Sequence, residues 1–234
     1  MSFGTARQTS YSPTAAQAVP GERAAFIRMT YTHLAGAFLV FALLEAALLN
    51  VPGVERLVGL LTWSWLLTLG LFMVVSFLAD RWARSNVSRG MQYAGLGLYI
   101  VIEAIIFLPL MYVASSFAPG VIPAAGVLTG VLFLGLTTVV FTTGADFSFL
   151  RGALVIGSFV ALGLIVASLI FGFDLGVIFS AAMIGLAGGY ILYSTSAIMR
   201  DYRTDQYVAA ALSLFASVAL MYFYIVRLLM ALRR

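Results

Sequence analysis

The sequence contains no cysteine, no lysine and a single histidine, and charged residues make up only 9% of its 234 positions. Without cysteine there can be no disulfide, no thiolate metal site and no cysteine nucleophile, and the redox compartment is left undetermined. The chain is instead apolar, because hydrophobic residues make up 62% of it and its mean hydropathy is +1.05. These values exclude a water-soluble domain of ordinary composition and predict an integral membrane protein.

Residue patterns typical of soluble enzymes are also missing from the sequence. It has no His, Asp and Glu cluster at metal-ligand spacing, no Gly-x-Ser-x-Gly nucleophile turn and no glycine-rich phosphate loop. We therefore expect no enzyme, no cofactor and no metal site. The net charge of +4 is small and its arginines fall between the apolar runs, so the expected partner is the lipid bilayer and not a nucleic acid.

Seven apolar runs follow a polar N-terminal segment, and each is long enough to cross a bilayer. They cover residues 27–50, 57–79, 91–114, 121–142, 152–172, 175–198 and 207–232. Residues 1–24, rich in Ser, Thr, Ala and Gln, are predicted to form a flexible cytoplasmic tail, and residues 25–234 a seven-helix transmembrane domain. The predicted fold class is therefore all-α and polytopic.

The last run differs from the others because hydroxyl groups and small side chains interrupt it. Ser213, Ser217 and Tyr224 recur on one helical face, and alanines remove bulk from most of the remaining surface. A helix that faced lipid would be bulky and apolar all round. We therefore predict that the last helix is central in the bundle.

Arginines are distributed unevenly between the two ends of the predicted helices. The first, third and fifth connections hold only Arg56, and the other end of the bundle holds nine arginines. These are Arg7, Arg23, Arg28, Arg81, Arg84, Arg89, Arg151, Arg200 and Arg203. The positive-inside rule therefore predicts a cytoplasmic N-terminus. Seven spans would place Arg233 and Arg234 outside, and a last helix that enters the membrane and returns is the alternative.

Two carboxylates lie within the apolar runs, where an unpaired charge is costly. Glu45 lies toward the outer end of the first run, and Arg227 of the last run is placed at a similar height. These two residues are either an ion pair or two separate side chains that snorkel toward the interface. Glu103, near the membrane midplane, is either an ion- or proton-handling group or a hydrogen-bonded structural one. His33, near the cytoplasmic face, is either a pH-sensitive residue or a packing residue.

Two glycine pairs have the spacing at which small residues let helices approach closely. Gly126 and Gly130 form one pair in the fourth run, and Gly185 and Gly189 form the other in the sixth. The pattern predicts close helix packing at both places.

Five short segments together carry a family resemblance. The most specific is the turn Thr-Thr-x-x-Asp-Phe-Ser at residues 142–148, and the others are residues 22–28, 93–96, 192–195 and 212–215. The chain resembles, on these segments, the bacterial branch of the Bax inhibitor-1 (transmembrane BAX inhibitor motif) family, over about residues 22–227. The resemblance implies a bundle in which two layers of three helices enclose the seventh.

The resemblance also implies a function. In some members two aspartates, one in the sixth helix and one in the seventh, close a calcium leak by sharing a proton and open it by charging. The matching positions here are Ser194 and Ser217, and a serine hydroxyl does not ionise near neutral pH, so this switch is absent. If calcium, other cations or protons pass, the predicted route contains Glu103 together with these two serines and Ser213.

Two other functions stay open at this stage. Bacterial relatives implied by the resemblance modulate a membrane-anchored ATP-dependent protease, and a polar N-terminal tail is a segment that such a protease can grip. An accessory subunit of a larger membrane complex, held through glycine- and alanine-rich helix faces, is the third alternative. All three interpretations place the chain in the bacterial inner membrane.

Overall fold

The computed structural model describes residues 12–84 and 88–233, and the secondary structure of this part is helical. Eight helices follow one another in it: α1 Pro20–Leu49, α2 Val54–Trp63, α3 Trp65–Ala83, α4 Arg89–Phe117, α5 Val121–Thr143, α6 Leu150–Phe171, α7 Gly176–Arg200 and α8 Tyr207–Leu232. All except α2 are long and apolar enough to cross a membrane. The predicted all-α fold with seven spans is confirmed.

The second predicted run, residues 57–79, is not one continuous helix. It contains the end of α2 and most of α3, and the two helices are separated at Ser64, whose φ of −112° and ψ of 46° are not helical. The Ser64 hydroxyl donates to the Leu60 carbonyl at 3.0 Å, and the Thr62 hydroxyl donates to the Val58 carbonyl at 2.8 Å. Such bonds to the preceding turn bend helices. The hydropathy of the run does not reveal them.

The first helix begins earlier than predicted, at Pro20 and not at residue 27. Proline suits the first turn of a helix because its missing N–H would have no partner there. Before it, the Ala15 amide donates to the Tyr202 carbonyl at 2.8 Å, and Thr14 forms an isolated bridge with Arg203. Residues 12–24 of the predicted tail therefore have a defined placement. The flexibility predicted for residues 1–11 falls outside the described residues.

The helix α8 lies at the centre of the bundle, as predicted. Its residues 208–211 are four consecutive buried positions, which point in all directions around the helix axis. The contacts divide the other spans into two groups, α1 with α3 and α4, and α5 with α6 and α7, and α8 packs against members of both. Between the two groups, α4 touches α5. This arrangement agrees with the two three-helix layers implied by the resemblance.

Charged side chains join the turns at one end of the bundle, which we call the arginine-rich end. There Arg84 donates to the Tyr202 hydroxyl at 3.2 Å, and Arg89 donates to the Asp205 carbonyl at 2.7 Å. The helix α8 starts at this end and runs without interruption to Leu232. Arg233 follows beside Gly120, which lies in the turn between α4 and α5 at the opposite end. The last helix therefore crosses the bundle and does not return.

Candidate functional site

Three helices meet near the arginine-rich end through His33 of α1, Tyr93 of α4 and Tyr207 of α8. We call the height of this contact in the bundle the common level. The His33 Nε2 atom lies 2.9 Å from the Tyr93 hydroxyl, and its ring centroid lies 4.9 Å from that of Tyr207. The His33 Nδ1 atom lies 2.7 Å from the Met29 carbonyl. Because a carbonyl only accepts, Nδ1 is the donor, and in the neutral ring Nε2 accepts from Tyr93. Both nitrogens of His33 are therefore bonded within the bundle.

Two of the predicted serines meet between α7 and α8. The Ser194 and Ser213 hydroxyl oxygens lie 3.1 Å apart. The Ser217 hydroxyl donates to the Ser213 carbonyl one turn below it at 2.8 Å. The structure therefore pairs Ser194 with Ser213, whereas Ser217 bonds within its own helix.

A cavity of about 360 Å³ reaches this hydroxyl pair from the arginine-rich end. We call it the arginine-side cavity; its lining is Arg84, Arg151, Tyr193, Ser194, Ala197, Asp201, Tyr202, Gln206 and Ser213. In the sequence, Arg84 and Arg151 were used only to predict the orientation of the chain in the membrane. Their position beside the serines depends on how α3, α6 and α7 pack together, and the spacing of residues within one helix does not show this.

The turn 142–148 is tied to the same end of the bundle. Oδ1 of Asp146 accepts from the Ser148 amide at 2.9 Å, and Oδ2 lies 2.8 Å from an Arg200 guanidinium nitrogen. The hydrogen bonds from Ser148, together with the charge of Arg200, lower the pKa of Asp146 below its ordinary value. The Phe147 amide also donates to the Ser196 hydroxyl at 3.1 Å. This family-like turn is therefore attached to the C-terminal end of α7.

The two intramembrane carboxylates lie at nearly the same depth. Glu45 is twelve residues beyond His33 in α1, and Glu103 is ten residues beyond Tyr93 in α4. At about 1.5 Å per residue, they lie about 18 and about 15 Å past the common level. Both side chains are buried, and the two groups interact electrostatically. The structure thus brings together two acids that the sequence analysis had treated separately.

The predicted Glu45–Arg227 pair is not formed among the described residues. Arg227 is twenty residues beyond Tyr207, or about 30 Å past the common level, so it lies about 12 Å further along than Glu45. Its Nη2 atom is 3.7 Å from Oδ1 of Asp174. Neither Glu45 oxygen has a hydrogen-bond partner in the described part of the chain. The sequence estimate failed because the sequence does not show at which height α1 and α8 are aligned with each other.

Glu103 faces a side of α8 different from that of the serines. On α4, Tyr99 and Phe107 stand one turn on either side of it and share its face. Their rings contact Phe215 at 6.2 Å and Tyr222 at 6.0 Å between centroids. Since a helix turns by about 100° per residue, Phe215 and Tyr222 lie nearly opposite the face of α8 that carries the three hydroxyls.

The predicted single route through Glu103 and the serines is therefore not what the packing provides. Ser213 and Ser217 lie on the side of α8 that faces α7. Tyr224 lies further along the same side, and its ring centroid is 5.8 Å from that of Phe179 in α7. The helix α8 itself stands between this face and Glu103. We call the side of α8 that carries the serines its hydroxyl face. We call the opposite side, which is turned toward Glu103 of α4, its carboxylate face.

On the carboxylate face, a second cavity of about 620 Å³ separates α1 from α5. We call it the α1–α5 groove; it extends from Tyr31 to Leu49 along α1 and from Ile122 to Phe133 along α5, with Met111, Val218 and Tyr222 completing the lining. The predicted close packing at Gly126 and Gly130 is wrong, because a Cβ atom added at either glycine would meet no atom within 4 Å. For the other pair the prediction is right only at Gly189, where an added Cβ would lie 2.8 Å from Leu154 of α6, and it is wrong at Gly185, where the space is open.

Three buried hydroxyls form a further polar cluster that the sequence analysis missed. Tyr31 of α1, Thr137 of α5 and Thr195 of α7 are close enough to interact, yet none of them has a hydrogen-bond partner within the described residues. Each looks like an ordinary packing residue in the sequence, because nothing in a single helix shows which hydroxyls three helices bring together. Buried hydroxyls without a partner in the protein are groups that a bridging water can satisfy.

Comparison with known proteins gives one family and two relatives. Residues 23–234 match the family described as "Inhibitor of apoptosis-promoting Bax1". An uncharacterized protein from Pseudomonas aeruginosa is 37% identical over 111 residues, which are 46% of this chain and 49% of the relative. An uncharacterized membrane protein from Vibrio cholerae is 32% identical over 108 residues, 46% of this chain and 48% of the relative. The chain thus spans about half the length of the curated relatives it matches.

Proposed function

The chain belongs to the Bax inhibitor-1 family of membrane proteins, and on this premise we propose that it is a gated cation leak whose aqueous mouth is the arginine-side cavity. The observation that supports it is the contact between this cavity and the Ser194–Ser213 pair. These hydroxyls stand on the two helices that carry the ionisable pair in the leak implied by the resemblance.

The proposed route is closed in this conformation. Beyond Ser217, the hydroxyl face of α8 continues with Leu220 and Tyr224, and these pack against Phe179 and Met183 of α7. An ion would have to leave water there without replacement ligands, which is costly. Conduction therefore requires α7 and α8 to separate over their outer halves.

The charges at the mouth balance one another. The arginine-side cavity is lined by Arg84 and Arg151 and by one carboxylate, that of Asp201. Arg84 is in addition paired with Asp80 at 2.8 Å. The two acids offset the two arginines, so we expect the net charge of the mouth to favour neither potassium nor calcium.

Ion flux into proteoliposomes tests the proposal. Purified protein should admit potassium at a low rate that is constant from about pH 5 to pH 8, because the serine hydroxyls do not titrate there. The Ser194→Asp/Ser217→Asp variant should conduct faster, and its rate should depend on pH because the two introduced carboxyls titrate whereas the hydroxyls do not.

Two controls separate the route from general leakage. Ser194→Ala/Ser217→Ala removes the hydroxyls without adding charge and should reduce the flux. Glu103→Gln should leave it unchanged, because Glu103 stands on the carboxylate face of α8. Absence of flux from the native protein for both potassium and calcium over the whole pH range would reject the leak.

The N-terminal segment supports a second candidate function, that of a non-conducting modulator of a membrane-anchored ATP-dependent protease or of another membrane complex. Ala15 is fully buried, and the Thr204 amide donates to the Pro13 carbonyl at 3.1 Å. This anchor fixes residue 12 at the arginine-rich end. Residues 1–11 precede the anchor and provide the segment that a protease would grip.

Replacement of residues 1–11 by a Gly/Ser sequence of equal length tests the second function. The anchor and the bundle should be unaffected, whereas modulation of proteolysis in inner-membrane vesicles should be lost. If proteolysis is the same with and without the chain, or if the replacement changes nothing and crosslinking recovers no membrane partner, this function is rejected.

A further inference from the structure

The α1–α5 groove lies on the carboxylate face of α8 and takes no part in the proposed leak. Its two walls belong to different three-helix groups, α1 to one and α5 to the other, and its floor is formed by Val218 and Tyr222 of α8. All these residues belong to membrane-spanning helices. The open side of the groove therefore faces the acyl chains of the bilayer and not water.

Small residues shape the groove along both walls. Ala35 and Ala42 line it on α1, and Gly126 and Gly130 line it on α5, where the space above both glycines is empty to 4 Å. From Tyr31 to Glu45, the α1 wall extends over fifteen residues, which is about 21 Å of helix from the first to the last. The slot is long, narrow and apolar, and a single extended alkyl chain suits this shape.

One ionisable group points into this apolar slot. The Glu45 side chain is 7% exposed and lines the groove, and neither of its carboxylate oxygens has a hydrogen-bond partner among the described residues. Glu45 interacts electrostatically with Glu103, and the described ion pairs include neither acid. A buried carboxyl without a basic partner carries its charge only when a cation lies beside it. Tyr222 beside it adds an aromatic ring, to which cations are attracted.

We propose that the α1–α5 groove binds a single-chain amphiphile with a protonated amine head. The head pairs with Glu45 beside Tyr222, and the alkyl chain lies between α1 and α5 toward Tyr31. This inference goes beyond the proposed leak and does not depend on it.

The position and charge of Glu45 select against other lipids. A phospholipid headgroup belongs at the interface, but Glu45 lies about 12 Å below the level of Arg227, and a phosphate there would meet the Glu45 carboxyl. A fatty acid would place a second acid beside Glu45. A long-chain alcohol can form a hydrogen bond with the carboxyl but supplies no cation to stabilise its charged form.

Photocrosslinking in nanodiscs of zwitterionic phosphatidylcholine tests this proposal. The probe is dodecylamine with a diazirine at the end of its chain, and the crosslinked residues are identified by peptide mass spectrometry. We expect crosslinks at groove positions such as Phe38 and Phe133. Unlabelled dodecylamine should compete at a concentration at least about tenfold lower than dodecanol or dodecanoic acid does, as expected for a desolvated charge pair.

Three variants locate the site. Glu45→Gln keeps the shape of the side chain and should abolish the preference for the amine. Gly130→Leu fills the groove and should abolish the crosslinks. Gly135→Leu is the matched control, because Gly135 also has open space beside it on α5 but does not line the groove; it should behave like the native protein.

Two results would overturn the proposal. One is equal competition by the amine and the alcohol, unchanged by Glu45→Gln, which would show that the groove takes any alkyl chain. The other is crosslinking spread over the lipid-facing sides of all helices and unaffected by Gly130→Leu, which would show ordinary lipid contact. Neither result depends on ion flux, so this proposal and the leak can fail separately.

Discussion

Single side chains at the arginine-rich end hold turns that are distant in sequence. The Asp146 carboxylate accepts a hydrogen bond from the Ser148 amide and forms an ion pair with Arg200, whose guanidinium also donates to the Gly144 carbonyl. The Ser196 hydroxyl accepts a hydrogen bond from the Phe147 amide. The α5–α6 turn is thus held on α7 by hydrogen bonds to its backbone, and Asp146 is the side chain of the turn that adds an ion pair.

The Asp146 carboxylate should make stability depend on pH in acid. Its pKa is lowered in the folded protein, chiefly by the Ser148 hydrogen bonds and then by Arg200. Its contribution is therefore fully present above the unfolded pKa of about 4 and decreases as the pH falls through the folded value. Because the group is exposed, the effect is small.

The melting temperature in detergent, measured for the native protein and for Asp146→Asn, checks this prediction. The difference between them should be constant from about pH 5 to pH 7 and shrink below about pH 4. Ser116→Asn, at the opposite end of the bundle, is the control for a surface amide. A difference that grew as the pH fell would contradict the assignment.

At the scale of helices, the contact between α3 and α4 is the most sensitive to added volume. A Cβ atom at Gly95 would lie 2.5 Å from the Ala83 amide nitrogen and 2.6 Å from the Ala79 carbonyl oxygen, so backbone would have to move. Gly95→Ala should therefore destabilise the protein by about 2 kcal/mol or more. Its melting temperature should fall clearly.

Gly97→Ala is the matched control on the same helix. A Cβ atom there meets nothing within 4 Å, and alanine is the better helix former by roughly 0.5–1 kcal/mol. This variant should melt at or slightly above the native temperature. Equal effects of the two substitutions would show that α3 and α4 are not in contact at Gly95.

The sequence predicted the properties of single helices well. It predicted poorly which helices contact one another and through which faces. Hydropathy located the seven spans, and the serines and alanines of α8 placed it at the centre, because both signals are properties of one helix. The break at Ser64 was missed because its cause is a hydroxyl bond in the preceding turn. The open space at Gly126 and Gly130 was missed because glycine spacing shows where helices can approach and not where they do.

Across the whole molecule, α8 separates two environments that a single route had been expected to join. Its hydroxyl face meets α7 and the arginine-side cavity, and its carboxylate face meets α1, α4 and the α1–α5 groove. Glu103 and Ser217 lie at the same depth, because each is ten residues, or about 15 Å, beyond the common level. The depth of a residue follows from counting residues along its own helix. The neighbour that it faces depends instead on how two helices are rotated relative to each other.

The orientation of this asymmetric bundle in the membrane can be measured directly, because the chain has no cysteine of its own. Ser148→Cys places an exposed thiol at the arginine-rich end, and Ser116→Cys places one at the other. The positive-inside rule puts the arginine-rich end in the cytoplasm. A membrane-impermeant maleimide should therefore label Ser116→Cys in cells whose outer membrane alone is permeabilised, and Ser148→Cys only after the inner membrane is opened. Labelling in the reverse order would invert the topology and place the mouth of the proposed leak outside the cytoplasm.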